Sequence, residues 1–290
     1  MPDVVNAPGR HHQASGPPPT PDPGAGGPAR PGGLRQGLAR LRGGLLGLTG
    51  FFGLVVIWQV TAMAEVVGNG LLPTPGMVFE VIWTGLGNGL ANDVLISSRR
   101  VVVWVSVGII AAVPVGFLLG WFPLARAALN PLVNFFRALP PIALVPLVIV
   151  YFGIGELARG IILMYAAFFA TVVIVFEGIA SIEDKYVRAA QTLGANRFEL
   201  LARVVLPFSV PHILTAARVS LGIGWASLVA AELVAAQDGL GAVIQNAGNF
   251  LDIPRVYAGI ILIGLCALVM DAALRIASVR LVRWQDRGNR

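Results

Sequence analysis

VVVWVSVGIIAAVPVGFLLGWF, residues Val101 to Phe122, runs without a charged side chain. Crossing the hydrocarbon core of a bilayer as a helix takes roughly 20 such residues. Five further runs have the same character: Leu45 to Val67, Leu132 to Phe152, Ile161 to Ala180, Ala216 to Ala236, and Val256 to Ile276. Together they predict an all-α membrane protein with about six transmembrane helices. The run Leu132 to Phe152 carries Pro140, Pro141 and Pro146, each lacking a backbone donor, so it is expected to break or kink.

Composition agrees with lipid as the solvent. Of 290 residues, 56% are hydrophobic and only 12% charged, more apolar surface than one water-soluble core hides. The formal charge of +6 comes from basic residues between apolar blocks, not from a continuous patch with interleaved aromatics, which excludes nucleic acid as the expected partner. The single cysteine, Cys266, allows no disulfide framework and no cysteine metal site. The spans hold no histidine cluster and no nucleophile with a base, so an enzyme is not expected.

Residues 1–33 are rich in Pro, Gly and Ala and read as a disordered cytoplasmic tail; residues 34–290 read as the membrane domain. Loops rich in Arg and Lys stay cytoplasmic. Arg30, Arg35, Arg40 and Arg42 precede the first span, and Arg126 follows the second. Lys185, Arg188, Arg197 and Arg203 follow the fourth, and Arg280, Arg283, Arg287 and Arg290 follow the sixth. Both termini are therefore expected in the cytoplasm of a multi-pass protein of the inner membrane. Against this pattern stand Arg99 and Arg100, which fall on the opposite side.

The only lysine is Lys185, between Asp184 and Tyr186, so a phosphate-binding loop is absent. If nucleotide drives this protein, another chain binds it. The longest cytoplasmic connection, about 181–215, is the place for such a chain to hold. Ser181 can cap a helix with Glu183 and Asp184 in its first turn, and Gly194 supplies a left-handed stop. Asn196 with Glu199 forms a capping box for a second helix, which Pro207 and Pro211 keep from simple continuation. Ala189, Ala190, Leu200, Leu201 and Val204 are expected to form an apolar knob. An amphipathic hairpin lying on lipid headgroups fits the same spacing.

Within that connection, Arg188-Ala189-Ala190-Gln191-Thr192-Leu193-Gly194-Ala195, followed by Val204-Val205-Leu206-Pro207, resembles the EAA loop of binding-protein-dependent ABC importer permeases. The family pattern is Glu-Ala-Ala, three residues, Gly, nine residues, Ile, one residue, Leu-Pro. The spacing is kept, with Arg188 in place of the glutamate and Val204 in place of the isoleucine. Pro73-Thr74-Pro75, Phe152-Gly153-Ile154-Gly155, Ala231-Glu232-Leu233 and Gly239-Leu240-Gly241 look like the nitrate, sulfonate and taurine branch.

The resemblance implies the type I ABC importer permease fold with a cytoplasmic coupling-helix loop. Two permease copies, a homodimer, would form one pathway for a small polar, anionic solute. Two ABC ATPase subunits would bind ATP and Mg and dock on Arg188, Ala189, Ala190, Leu193, Gly194, Ala195, Val204, Leu206 and Pro207. An extracytoplasmic substrate-binding protein would deliver the solute, and this chain would carry no cofactor. The rival is an ion-coupled secondary transporter, which would be expected to carry paired ionisable groups near the midplane and a repeated half.

Ionisable groups at membrane depth supply the pathway candidates. Glu232 reads either as a gating or substrate contact or, preferably, as a headgroup anchor or hydrogen bond to a neighbouring helix. Asp271 is expected to pair with Arg275 one turn on. Arg137 and Arg218 could attract an anion, though snorkelling to the cytoplasmic surface explains both more simply. Gly116 and Gly120 are expected to serve helix packing.

Overall fold

The computed structural model describes residues 49–66, 68, 71–235 and 237–281, so the proposed tail 1–33 lies outside the described residues. The chain divides into two units, Met1–Val55 and Val56–Arg290. Of the first, only the helical turns from Thr49 on are described; everything below concerns the second. Among the described residues the structure is helical throughout, with no strand.

The helices are α1 (Thr49–Met63), α2 (Pro75–Gly85), α3 (Ala91–Trp121), α4 (Pro123–Ala138), α5 (Pro141–Phe152), α6 (Glu156–Ala180), α7 (Asp184–Thr192), α8 (Arg197–Leu200), α9 (Leu206–Ala235), α10 (Leu240–Asn249) and α11 (Ile253–Leu281). Four stretches are long and apolar enough to cross a membrane, and α4 with α5 makes a fifth if a 93° bend is counted as one broken span. Helix α2 was not anticipated. Thr74 accepts a hydrogen bond from the Met77 amide and Pro75 takes the first helical position, which explains why Pro73-Thr74-Pro75 starts a helix. A wide turn at Leu86–Leu90, broken at Asn88 and Gly89, separates α2 from α3.

The core is α3 against α6, with α9 on the other side of α6. Small residues on α3 allow the approach: a Cβ on Gly108 would lie 2.7 Å from the Met164 carbonyl, on Gly116 2.8 Å from Val175 Cβ, and on Gly120 2.7 Å from Ile179 Cβ. Leu163, Ala167, Val172 and Val175 of α6 are buried against this face. Most of α11 faces outward with Leu265, Leu268, Val269 and Val279 exposed, as a lipid-facing helix should be.

Two expectations about helix ends are corrected. Ser181 does not cap the next helix; it completes α6, its hydroxyl donating to the Gly178 carbonyl at 2.8 Å, while Glu183 takes the N-cap place without a side-chain bond. Pro207 and Pro211 do not stop the chain from helical continuation into α9. A π-helical turn at Leu201–Val205 widens the helix just before Pro207, relieving the clash its ring would make with the Arg203 carbonyl four residues back.

Candidate functional site

At one end of the bundle, α7 and α8 form a helical hairpin between α6 and α9. Two local devices fix it. Helix α7 ends in a Schellman turn: the Gly194 amide donates to the Gln191 carbonyl at 2.9 Å and the Ala195 amide to the Ala190 carbonyl at 3.0 Å. Gly194 has φ +84°, a conformation side chains rarely adopt, so glycine is required there. Helix α8 starts with the expected capping box, Asn196 Oδ1 accepting from the Glu199 amide at 2.8 Å and Glu199 Oε2 from the Asn196 amide at 3.0 Å. Tyr186 rests on Phe208, ring centroids 4.9 Å apart, which ties α7 to α9.

The hairpin's exposed face differs from the expected knob. Leu200 is buried, and Leu201 and Val204 are half-buried; Leu201 packs with Val205 and Ile182 against the end of α6. Ala190 and Ala195 are half-buried, while Arg188, Ala189, Leu206 and Pro207 are exposed. The apolar side chains standing in solvent are Leu193, 88% exposed, and Phe198, 77% exposed. Phe198 was missed, because an aromatic residue in a short helix reads as core. Arg188 is held loosely by Asp184 at 3.7 Å, and Lys185 by Glu183 at 2.6 Å, a contact that keeps the ammonium above its ordinary range.

The opposite end holds an ionic cluster. Arg100 on α3 donates to Glu232 at the end of α9 at 2.7 Å, to Asp238 in the following loop at 2.5 Å, and to Glu156 at the start of α6. Arg159 adds contacts to Glu156 at 3.0 Å and Asp238 at 3.6 Å. Glu232 also accepts from the Ser97 hydroxyl and the Gly241 amide, and Ser97 in turn accepts from the Leu240 amide. A Cβ on Gly239, whose φ is +102°, would meet Glu232 Oε1 at 2.5 Å, so the Gly239-Leu240-Gly241 backbone is pressed onto the carboxylate. Arg99 and Arg100 are therefore not two loop charges: Arg100 is buried among three carboxylates. Glu232 is likewise no headgroup anchor, since its bonds to α3 and α10 leave it 1% exposed.

The other pathway candidates lie elsewhere. Arg218 of α9 makes a two-pronged contact with Asp271 of α11 at 2.8 and 2.9 Å, which replaces the expected Asp271–Arg275 pair. A guanidinium on the neighbouring helix can present both donors to the carboxylate, which a partner one turn along the same helix does less well. Arg137, in the last turn of α4, lines a cavity of about 320 Å³ with Tyr165, Phe169, Glu177 and Val219. Glu232, Arg137 and Arg218 are thus in three separate places.

Comparison with known proteins adds an independent line. The model of the family described as "binding-protein-dependent transport system inner membrane component" matches residues 105–283. The chain is 42% identical over 251 residues to a probable ABC transporter permease protein of Brucella abortus (strain 2308), covering 86% of this chain and 99% of that one. It is 38% identical over 238 residues to the taurine transport system permease protein TauC of Escherichia coli (strain K12), covering 80% and 86%. Among solved structures, an inward-facing form of the MetNI methionine ABC transporter shares the fold, with a TM-score of 0.55 at 23% identity over 67% of this chain and 94% of that one.

Proposed function

The chain belongs to the binding-protein-dependent transport system inner membrane components and is a permease component of an ABC importer, and from that premise we propose how its parts serve the task. The α7–α8 hairpin is the coupling site, seated in a separate ATPase that binds ATP and Mg. The observation that carries this is the pair Leu193 and Phe198, held in water by a Schellman turn and a capping box that fix the backbone beneath them. Exposed apolar side chains on a preformed scaffold bury surface on docking without a large ordering penalty. The hairpin end then faces the cytoplasm, both termini lie there too, and the Arg100 cluster lies at the outer end.

Two copies of this chain enclose the pathway. The α4–α5 break supports that arrangement, because irregular backbone at membrane depth persists only against protein or water. An extracytoplasmic binding protein delivers a small anionic solute of the sulfonate, taurine or nitrate type, a reading supported by the resemblance to the taurine permease. ATP binding favours the outward-open state only as far as the ATPases hold the two hairpins more tightly in it. The ion-coupled transporter finds no support in the family match.

The test is reconstitution in liposomes with the ATPase and binding protein of the same transport system. ATP-dependent uptake of taurine or an alkanesulfonate, lost without the ATPase, is the expected result. Uptake that needs only an ion gradient would overturn the proposal.

A further inference from the structure

Arg137 carries no ion pair and no side-chain hydrogen bond among the described residues. Its depth makes that notable. The adjacent Phe136 carbonyl accepts from the Tyr165 hydroxyl at 2.5 Å, and Tyr165 is the tenth residue of the 25-residue α6. At 1.5 Å per residue, Tyr165 lies ~14 Å from the Glu156 end of α6 and more than 20 Å from the other. Neither surface is within easy reach of an arginine stem, so snorkelling does not account for this residue.

An arginine stays charged at any working pH, and at membrane depth it faces protein interior or water and finds a counter-charge. The carbonyl end of α4 supplies only part of one. Glu177 lines the same cavity but stands beyond ion-pair distance and is itself unpaired. The cavity sits at the broken span, where backbone geometry already demands water or protein. Its remaining lining is apolar and aromatic: Leu139, Phe169, Val173, Ile174 and Ile223.

We propose that Arg137 is the specificity-determining residue of the pathway, its guanidinium receiving the sulfonate-type oxyanion of the solute at the α4–α5 break. A planar fork of donors matches such a group with two parallel hydrogen bonds, and the apolar walls take its carbon end. This rests on the importer reading, and its test is separable from the test of that reading.

The test uses the purified transporter complex with Ala170→Cys in a Cys266→Ser background of this chain, Ala170 being a half-buried wall of the cavity. Labelling by a water-soluble thiol reagent is followed on this chain by mass spectrometry during a millimolar titration with ethanesulfonate, with ethyl methyl sulfone as the uncharged comparator. Ethanesulfonate is expected to slow labelling several-fold and the sulfone to leave it unchanged. Arg137→Gln abolishes the protection and Arg137→Lys keeps part of it. The lysine variant alone carries the test should the glutamine variant not fold. Labelling unaffected by ethanesulfonate, or protected equally in the Arg137 variants, would overturn the proposal. A complex of Arg137→Gln that still hydrolyses ATP in response to loaded binding protein, yet no longer imports sulfonate, separates this role from coupling.

Discussion

Arg100 Nη1 stands 2.7 Å from Glu232 Oε1, and both side chains are withdrawn from solvent although 132 residues separate them in sequence. Removing one partner of such a buried pair leaves the other charge uncompensated, at a typical cost of about 3 to 5 kcal/mol. Glu232→Ala is expected toward the low end, because Glu156 and Asp238 still face Arg100; Arg100→Ala, which strands three carboxylates, is expected to be worse. The midpoint of thermal unfolding in detergent reads both, and an unshifted midpoint for Arg100→Ala would refute the role of this cluster.

The same cluster sets an acid sensitivity. A hydrogen bond from Arg100 holds the Asp238 carboxyl below the usual carboxylate range. Its contribution to stability is therefore fully present above the unfolded value of about 3.9 and is lost as pH falls through the lower folded value. The midpoint of thermal unfolding should decline below pH ~4, and less steeply in Asp238→Asn. Because Asp238 is half exposed, the difference will be small but of fixed sign.

The α3–α6 seam tolerates no side chain at Gly116, where a Cβ would fall 2.8 Å from Val175 Cβ. Gly116→Leu is expected to force α3 and α6 apart and cost at least 1 to 3 kcal/mol, the usual range for overpacking. Folded yield after extraction, measured as the monodisperse fraction, checks it.

In the hairpin, Asn196→Ala removes the cap of α8 and should cost roughly 1 kcal/mol locally. Gly194→Trp cannot hold φ +84° without strain and is expected to uncouple ATP hydrolysis from transport. Arg188→Glu restores the family's carboxylate but places it one turn from Asp184; docking should be retained, since Arg188 is exposed and held only at 3.7 Å. Hydrolysis and uptake measured together in liposomes distinguish these outcomes.

What the sequence disclosed and what it hid follow from the range of the forces involved. Apolar runs announce spans because lipid selects them residue by residue. The prolines at 140 and 141 announced the break, though not its 93° angle, which depends on packing against α6. The capping box at Asn196 and the glycine stop at 194 are local and were readable. Ser181 was misread because two helices meet there and only the geometry decides which one it serves. The partners of Arg100 lie 56, 132 and 138 residues away, so nothing in its neighbourhood separates it from a loop charge. Asp271 misled for the opposite reason: Arg275 offered a local partner, and Arg218, 53 residues distant, was better placed.

The most direct measurement is to purify the chain gently from its native host and identify what accompanies it. An ABC ATPase that accompanies the unaltered chain, and is lost when Leu193 and Phe198 are both changed to Asp while the chain stays folded, is the predicted result. A chain that arrives without an ATPase, or an ATPase retained undiminished by the Leu193→Asp, Phe198→Asp protein, would contradict the placement of the coupling site on the α7–α8 hairpin.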